Sequence, residues 1–216
     1  MAVRLFFSIR INSSRSRVFA GPISNPGNTF GIPYGISLDP ISNTIYVVDT
    51  YNFRIMSFKS IESNGTLFLG GINGSGPNRT QLSLPHAIHF DYVSNSVIVS
   101  NMGTNAVIRY VLGADSYTYV VGNTNGLAGA NSTSLNNPSG VTMDPMGHIY
   151  VVDSYNDRIQ FFDHDGSYGI TIAGFSGLGN NNATKLNTPR AVRLDTQLNL
   201  YVADTGHHRI QKFLRY

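Results

Sequence analysis

The chain has no cysteine, and it carries few charged residues for its length. The absence of cysteine excludes disulfide bonds, thiolate metal sites and a cysteine nucleophile. Charged residues make up 12% of the 216 residues, compared with about 25% in ordinary soluble domains. The net charge is +3. The sequence contains no run of Lys and Arg, and its densest basic stretch extends from His207 to Lys212. This distribution is weak evidence for a nucleic-acid surface.

Long hydrophobic runs are also missing. No apolar run approaches the ~20 residues that a transmembrane helix needs, so membrane insertion is not expected. The first ten residues are too short in apolar length, and too basic at Arg4 and Arg10, for a good signal peptide. No segment shows a convincing helical period. Abundant Asn, Ser, Thr and Gly between short apolar runs are typical of a β-rich chain with many turns.

What the chain does contain is an internal repeat of about 52 residues. Four stretches share a β-branched run that ends in an acidic or amide residue, as in Ile149-Tyr-Val-Val-Asp153. The equivalent positions, spaced 52, 52 and 51 residues apart, are Asp49, Asn101, Asp153 and Asp204. A second set, spaced 52, 53 and 51, consists of Pro33, Pro85, Pro138 and Pro189. A fixed period of this length predicts an array of one supersecondary unit.

Each repeat reads as four short strands. In the third repeat, the runs Ser139–Asp144, His148–Val152, Arg158–Phe162 and Tyr168–Ala173 are separated by tight turns. Four such strands predict an antiparallel meander, and a four-stranded unit of this period predicts a propeller blade. The fold class expected is therefore an all-β propeller. In that arrangement the loop between the second and third strands and the segment before each proline lie on one face.

The repeats predict a single domain, 1–216, whose ends are irregular. The blades expected are 22–71, 72–122, 123–174 and 175–216, preceded by a partial blade at 1–21 and ending without a fourth strand. Val18–Gly21 resembles Thr171–Gly174, so it could supply that strand and close a four-bladed ring. Alternatively, the chain is an incomplete arc of a six-bladed propeller, which we favour because terminal repeats normally need caps. Open strand edges at both ends would permit self-association.

The repeated residues resemble a known family. Thr188-Pro-Arg-Ala-Val-Arg-Leu-Asp195, followed by Leu200-Tyr-Val-Ala-Asp-Thr-Gly-His-His-Arg-Ile210, is similar to the NHL repeat, and the resemblance covers nearly all of 18–216. It implies a β-propeller, usually six-bladed, that most often acts as an interaction platform. Members of the family include RNA-binding and ubiquitin-ligase-associated proteins, extracellular proteins and a metal-dependent amidating lyase. This chain shows about four and a half units and no RING or kinase segment.

Acidic residues recur at one position of the repeat and allow two interpretations. Asp49, Asp153 and Asp204 could form a carboxylate ring for a metal. Alternatively, each aspartate braces its loop by accepting turn N–H groups and pairing with the arginine five residues on, which gives the pairs Asp49–Arg54, Asp153–Arg158 and Asp204–Arg209. In the second repeat, Asn101 and Ala106 replace both partners together. This joint loss favours the brace, and no metal site is predicted.

Variable residues on the shared face are the candidate binding residues. The positions after the prolines hold Tyr34, His86, Ser139 and Arg190, and the loops between the second and third strands carry Tyr51 and Tyr155. Exposed Tyr, His and Arg are typical of binding surfaces, although single exposed aromatics are also common. The histidines from different blades do not converge at matched positions, which makes a metalloenzyme an unfavoured hypothesis, and His207-His208 reads as loop filler.

The function expected is a non-enzymatic platform that binds a protein, without a cofactor, through Tyr34, Tyr51, His86, Tyr155 and Arg190. One alternative is a hydrolase or lyase with a metal in the channel. Another is a single-stranded RNA-binding domain, which would require a denser basic groove with stacking aromatics. Six Asn-x-Ser/Thr sequons lean only slightly towards an extracellular location, so cytoplasmic and extracellular locations both stay open.

Overall fold

A computed structural model describes residues 29–59, 64–71, 79–164, 166, 168–174 and 185–215. Within these residues the chain forms four antiparallel sheets, of which three have four strands and the last has three. Each sheet is a simple meander, and the sheets follow one another as the blades of a β-propeller. The predicted partial blade at 1–21, including Val18–Gly21, lies outside the described residues.

The strands of each blade are consecutive in the chain. Blade 1 contains β1 (Pro33–Leu38), β2 (Ile45–Asp49), β3 (Arg54–Phe58) and β4 (Thr66–Gly70). Blade 2 contains β5 (Pro85–Asp91), β6 (Ser96–Asn101), β7 (Ala106–Val111) and β8 (Thr118–Gly122). Blade 3 contains β9 (Pro138–Met143), β10 (Ile149–Asp153), β11 (Arg158–Phe162) and β12 (Gly169–Ala173). Blade 4 contains β13 (Ala191–Leu194), β14 (Leu200–Asp204) and β15 (Arg209–Phe213).

The first strand of every blade lies at the centre of the propeller. β1 packs on β5, β5 on β9 and β9 on β13, so these edges of the sheets face a common channel. The remaining strands extend outward from the channel in chain order. The second strands of blades 2 and 3 are enclosed by sheets on both faces, and all six residues of β6 are buried. This burial explains why the second strands are continuously apolar rather than alternating.

The hydrophobic core is divided among the three interfaces between neighbouring blades. Separate clusters join blades 1 and 2, blades 2 and 3, and blades 3 and 4. The segment that precedes the first strand of a blade, here called the entry segment, adds one buried leucine to each cluster. These leucines occupy equivalent positions and are Leu82, Leu135 and Leu186. Each interface therefore repeats the same packing with different side chains.

The two end faces of the described array are exposed. Ile36 of β1 is 63% exposed, whereas its equivalent in blade 2, Ile88, is 1% exposed. At the other end, Ile210 of β15 is 69% exposed, whereas its equivalent in blade 3, Ile159, is fully buried. The same sequence position is thus a core position inside the array and a surface position at its ends, because burial there depends on the neighbouring blade.

The loop between the second and third strands, here called the mid-blade loop, has the same shape in all four blades. A single 3₁₀ turn follows the second strand, at Thr50–Asn52, Met102–Thr104, Ser154–Asn156 and Thr205–His207. The next residue is left-handed in each case, and the four are Phe53, Asn105, Asp157 and His208. Asn, Asp and His tolerate this conformation better than most residues, whereas Phe53 is an exception.

Candidate functional site

Three mid-blade loops are held by ion pairs between a buried aspartate and an arginine. The Nε atom of Arg54 lies 2.8 Å from Oδ2 of Asp49, and the same two atoms are 2.8 Å apart in Arg158–Asp153 and 2.7 Å apart in Arg209–Asp204. All three aspartates are fully buried. Each guanidinium also donates to a carbonyl of the entry segment, as Arg158 does to Asn131 at 2.8 Å. The pairs therefore join the mid-blade loop to the chain that enters the blade.

The second carboxylate oxygen of each aspartate has a different partner from the one predicted. The repeat pattern predicts that these carboxylates accept N–H groups of their own turn, but none of them caps its 3₁₀ turn. Instead Oδ1 accepts the backbone N–H of an entry-segment residue that lies 17 or 18 positions earlier in the chain, and the donors are Gly31, Asn136 and Asn187. In blade 2, Asn101 accepts from Ser83 in the same way, so the amide keeps this tie without the arginine.

The third position of each 3₁₀ turn adds another hydrogen bond to the aspartate. Asn52 and Asn156 donate to Oδ2 of Asp49 and Asp153, both at 2.8 Å. In blade 4 this position is His207, whose Nδ1 lies 2.9 Å from Oδ2 of Asp204. The interpretation of His207 as loop filler is therefore wrong, because it takes the place of the asparagine. Its alignment with Asn52 was the signal that could have identified this role.

The left-handed residues of two mid-blade loops tie their blade to the next one. Oδ1 of Asn105 accepts the N–H of Asn137, and Oδ1 of Asp157 accepts the N–H of Thr188, at 2.8 and 2.7 Å. Each acceptor belongs to one blade and each donor to the entry segment of the following blade. These contacts, which sequence analysis missed, make the mid-blade loops and entry segments one continuous surface. We call this surface the loop face.

Four of the variable positions meet at the mouth of the channel on the loop face. The rings of Tyr34 and His86 stack with centroids 4.5 Å apart. Nδ1 of His86 lies 2.9 Å from the carbonyl oxygen of Ser139, and Oγ of Ser139 donates to the carbonyl of Arg190 at 2.9 Å. A bulge at Tyr34 and another at His86 leave these residues out of register with the second strand. The structure thus brings Tyr34, His86 and Arg190 into one group.

A second tier lies deeper along the same strands. Ser37, His89, Thr142 and Arg193 occupy equivalent positions, three residues after the first tier. Nη1 of Arg193 donates to the carbonyl oxygen of Val141 at 3.2 Å, so the guanidinium reaches back over blade 3. Burial, together with the charge of Arg193, lowers the pKa of His89 to about 4, although Asp91 opposes this effect. The imidazole of His89 is therefore neutral at pH 7.

The two tyrosines predicted in the mid-blade loops are separate from the channel group. Tyr51 is 56% exposed and Tyr155 is 57% exposed. The backbone N–H of Tyr155 donates to the carbonyl of Asn136, which fixes its loop on the entry segment. Blades 2 and 4 carry Gly103 and Gly206 at this position, so the tyrosines alternate around the loop face. Both rings project from loops that ion pairs hold in place.

The opposite surface, here called the turn face, carries the turns between the first and second strands. A cavity of about 570 Å³ opens there between blades 2 and 3. Its wall includes Phe90, Met143 and Met146, with His89 and Arg109 as polar members. Arg109 pairs with Asp91, with Nη1 and Oδ2 3.3 Å apart. Sequence analysis did not identify this cavity, since its wall combines residues about 50 positions apart.

No group of three or more His, Asp or Glu side chains in the part of the chain that the structure describes is arranged to hold a metal ion. Likewise, the described residues include no helix with the length and hydropathy needed to cross a bilayer.

The repeats match a family of known sequences. The sequence model of the NHL repeat matches residues 135–162 and 186–213, which contain the ion pairs of blades 3 and 4. The Arabidopsis thaliana protein SUPPRESSOR OF QUENCHING 1, chloroplastic, is 22% identical over 223 residues, covering 93% of this chain and 21% of that protein. NHL repeat-containing protein 3 from Mus musculus is 25% identical over 146 residues, covering 63% of this chain and 41% of that protein. The chain thus spans less than half the length of either relative.

Solved structures share the fold at low sequence identity. A Bacteroides thetaiotaomicron protein of unknown function aligns with a TM-score of 0.70 and 19% identity, over 84% of this chain and 47% of that chain. A streptogramin B lyase aligns with a TM-score of 0.61 and 17% identity, over 91% of this chain and 54% of that chain. These alignments show the β-propeller fold, and the two matched segments, which contain the recurring ion pairs, show that the chain carries NHL repeats.

Proposed function

We propose that this propeller is a non-enzymatic platform that binds a protein partner through its loop face. The observation that carries the proposal is the pair of tyrosines, Tyr51 and Tyr155, each more than half exposed on a loop held by an ion pair to a buried aspartate. Tyrosine provides a large contact area with few rotatable bonds, so an anchored tyrosine loses little entropy on binding. Rigid loops lower that entropic cost further.

The channel mouth adds a second group of contacts to the same face. Tyr34 and His86 stack on each other, and Arg190 lies beside them. An arginine next to exposed aromatic rings suits a partner with a mixture of apolar and acidic groups. The proposed interface therefore consists of Tyr34, Tyr51, His86, Tyr155 and Arg190. Its members come from all four blades, and the tyrosines come from blades 1 and 3.

The test is a double variant in the mid-blade loops. A partner is first identified by crosslinking in extracts of the native source and is then purified. The dissociation constant is measured for the wild type, for Tyr51→Ala/Tyr155→Ala and for Tyr92→Ala. We expect the double variant to bind at least tenfold more weakly, since hot-spot aromatics contribute about 2 kcal/mol or more each. Its unfolding midpoint should stay that of the wild type, because both rings project into solvent.

Tyr92→Ala is the matched control. Tyr92 is 57% exposed, as Tyr155 is, but it lies on the turn face. Loss of affinity in the loop-face variant alone would support the assignment. Equal affinity of wild type and the double variant would refute it.

A metal-dependent lyase is the second candidate. The favouring observation is the alignment with a streptogramin B lyase, which concerns the fold alone at this identity. Metal analysis of the purified protein separates the two functions. A stoichiometric divalent ion that survives dialysis would favour the lyase, and its absence would leave the platform as the better proposal.

A further inference from the structure

The inner strands that line the channel are almost free of carboxylates. The aspartates of these strands lie only at or directly after the ends on the turn face, at Asp39, Asp91, Asp144 and Asp195. The polar side chains of these strands and of the residue before β13 are basic, aromatic or hydroxyl groups. They are Tyr34, Ser37, His86, His89, Ser139, Thr142, Arg190 and Arg193. The channel wall is therefore cationic.

Histidine and arginine face each other across blade 3 in both tiers. Blade 2 contributes His86 and His89, blade 4 contributes Arg190 and Arg193, and blade 3 contributes only hydroxyl side chains between them. The charge of Arg190 acts on His86, and the charge of Arg193 acts on His89. In each tier an imidazole therefore lies close enough to a guanidinium for the positive charge to lower its pKa.

Neither channel arginine has a carboxylate partner among the described residues. This contrasts with Arg54, Arg109, Arg158 and Arg209, each of which pairs with an aspartate. Nη1 of Arg193 is engaged by the carbonyls of Val141 and Val192. A guanidinium carries five N–H donors, so most donors of Arg193 are available to a ligand.

We propose that the channel binds an oxyanion, a carboxylate or phosphate group, between the histidines of blade 2 and the arginines of blade 4. Arg190 and Arg193 supply charged donors. Ser139 adds no donor, because its hydroxyl is buried and bonded to Ser154 and to the carbonyl of Arg190. Planar guanidinium groups suit both kinds of oxyanion by forming paired hydrogen bonds.

The histidines couple this site to protonation. The carbonyl of Ser139 accepts from Nδ1–H of His86, so Nε2 of the neutral ring carries no proton and cannot donate. A bound anion would stabilise the imidazolium form, in which Nε2 also donates. Without a bound anion, burial and the charge of Arg190 hold the pKa of His86 below its ordinary value, although the hydrogen bond to Ser139 acts in the opposite direction. The pKa of His89 is lowered in the same way by burial and by the charge of Arg193, whereas the charge of Asp91 raises it.

The test measures the pKa of His86 and His89 by NMR titration of the whole chain. Oxalate and inorganic phosphate, both anionic through the titration range, are added separately at an ionic strength kept constant with sodium chloride. We expect an anion to raise both pKa values by about one unit or more, as an opposite charge within hydrogen-bonding range does. His164, which lies on the turn face, provides an internal reference that should not change.

The variant Arg190→Gln/Arg193→Gln should remove the response to added anion. Arg215→Gln, which removes one positive charge at an exposed position after β15, is the matched control and should respond as the wild type does. A response to oxalate alone would assign a carboxylate, and a response to phosphate would assign a phosphate group. The proposal is overturned if neither anion shifts the histidines, or if the double arginine variant responds as strongly as the wild type.

This inference does not depend on the protein partner proposed for the loop face. The variant Tyr51→Ala/Tyr155→Ala should retain the full anion response, because neither tyrosine belongs to the channel group. Loss of partner binding with an unchanged anion response would support both proposals separately. An anion response without any partner effect would leave the channel site standing and remove the loop-face assignment.

Discussion

Nε of Arg158 lies 2.8 Å from Oδ2 of Asp153, and the side chains of the two residues are 8% and 0% exposed. The same pair in blade 1 is more open, since the side chain of Arg54 is 19% exposed. A buried ion pair contributes little net stability compared with a well-packed apolar pair, but removal of one partner leaves the other charge buried and unpaired. Blade 2 avoids this problem by replacing both partners, with Asn101 and Ala106.

The brace of blade 3 therefore predicts an unusual order of stabilities. Arg158→Ala should lower the free energy of unfolding by about 3–5 kcal/mol, because Asp153 remains charged and buried. The double variant Asp153→Asn/Arg158→Ala reproduces the residues of blade 2 and should be more stable than Arg158→Ala alone. Urea unfolding followed by circular dichroism measures both. A double variant less stable than the single one would show that the carboxylate itself holds the loop.

The depressed pKa of His89 predicts a loss of stability in mild acid. An unfolded histidine takes up a proton near pH 6.5, whereas His89 in the folded chain does so only near pH 4. The free energy of unfolding is therefore unaffected by His89 above about pH 6.5. It decreases as the pH drops towards 4, by about 2 kcal/mol at pH 5.

His89→Thr tests this pH dependence with the residue that blade 3 carries at the equivalent position, Thr142. The free energy of unfolding of this variant should change less between pH 7.5 and pH 5 than that of the wild type. Other groups contribute equally to both proteins and cancel in the comparison. Identical changes in the two proteins would place the acid sensitivity elsewhere.

The exposed end face predicts that the same substitution destabilises one blade strongly and the other very little. Ile88→Ala should cost about 2–5 kcal/mol, because the side chain is buried between blades 1 and 2. Ile36→Ala, at the equivalent position on the free face of blade 1, should change stability by less than about 0.5 kcal/mol. Thermal unfolding of the purified chain distinguishes the two. A large effect of Ile36→Ala would mean that this face is covered in solution.

Gly174 predicts a strong effect of a small substitution. Its φ of +77° is left-handed, and an added Cβ would overlap the carbonyl oxygen of Asp157. Gly113 has a similar φ of +86°, but an added Cβ meets nothing within 4 Å. Gly113→Ala should therefore cost about 1–2 kcal/mol from conformation alone, and Gly174→Ala clearly more. Equal unfolding midpoints for the two variants would contradict the overlap.

Much of the fold follows from the sequence because the unit is short and local. The five-residue spacing of Asp153 and Arg158 predicts that they lie opposite each other in adjacent strands, and the two residues are indeed partners in the β10–β11 pairing. Contacts between units were harder to predict. The stack of Tyr34 on His86, and the tie from Asp157 to Thr188, join residues 52 and 31 positions apart through the packing of blades. Periodicity alone does not specify which side chains meet across that packing.

The contacts of the mid-blade aspartates were likewise predictable only in part. Their pairing with arginine is visible in the pattern, whereas the hydrogen bond from the entry segment is not, since any residue can supply a backbone N–H. A repeated separation of 17 or 18 residues, from Gly31 to Asp49 and from Asn136 to Asp153, was the available signal. It becomes interpretable only when the path of the chain between blades is known.

Within the described residues, the division of the core into three interfaces means that each blade is stabilised by its immediate neighbours. Each interface is shared by two blades only, so stability is approximately a sum of nearest-neighbour terms rather than the property of one centre. The outer blades have one neighbour each in the described array, and the inner blades have two. Amide hydrogen exchange should therefore be fastest at the ends and slowest in β6 and β10. A destabilising substitution in the core of blade 2 or 3 would weaken two interfaces at once, whereas one in an outer blade of the described array would weaken one.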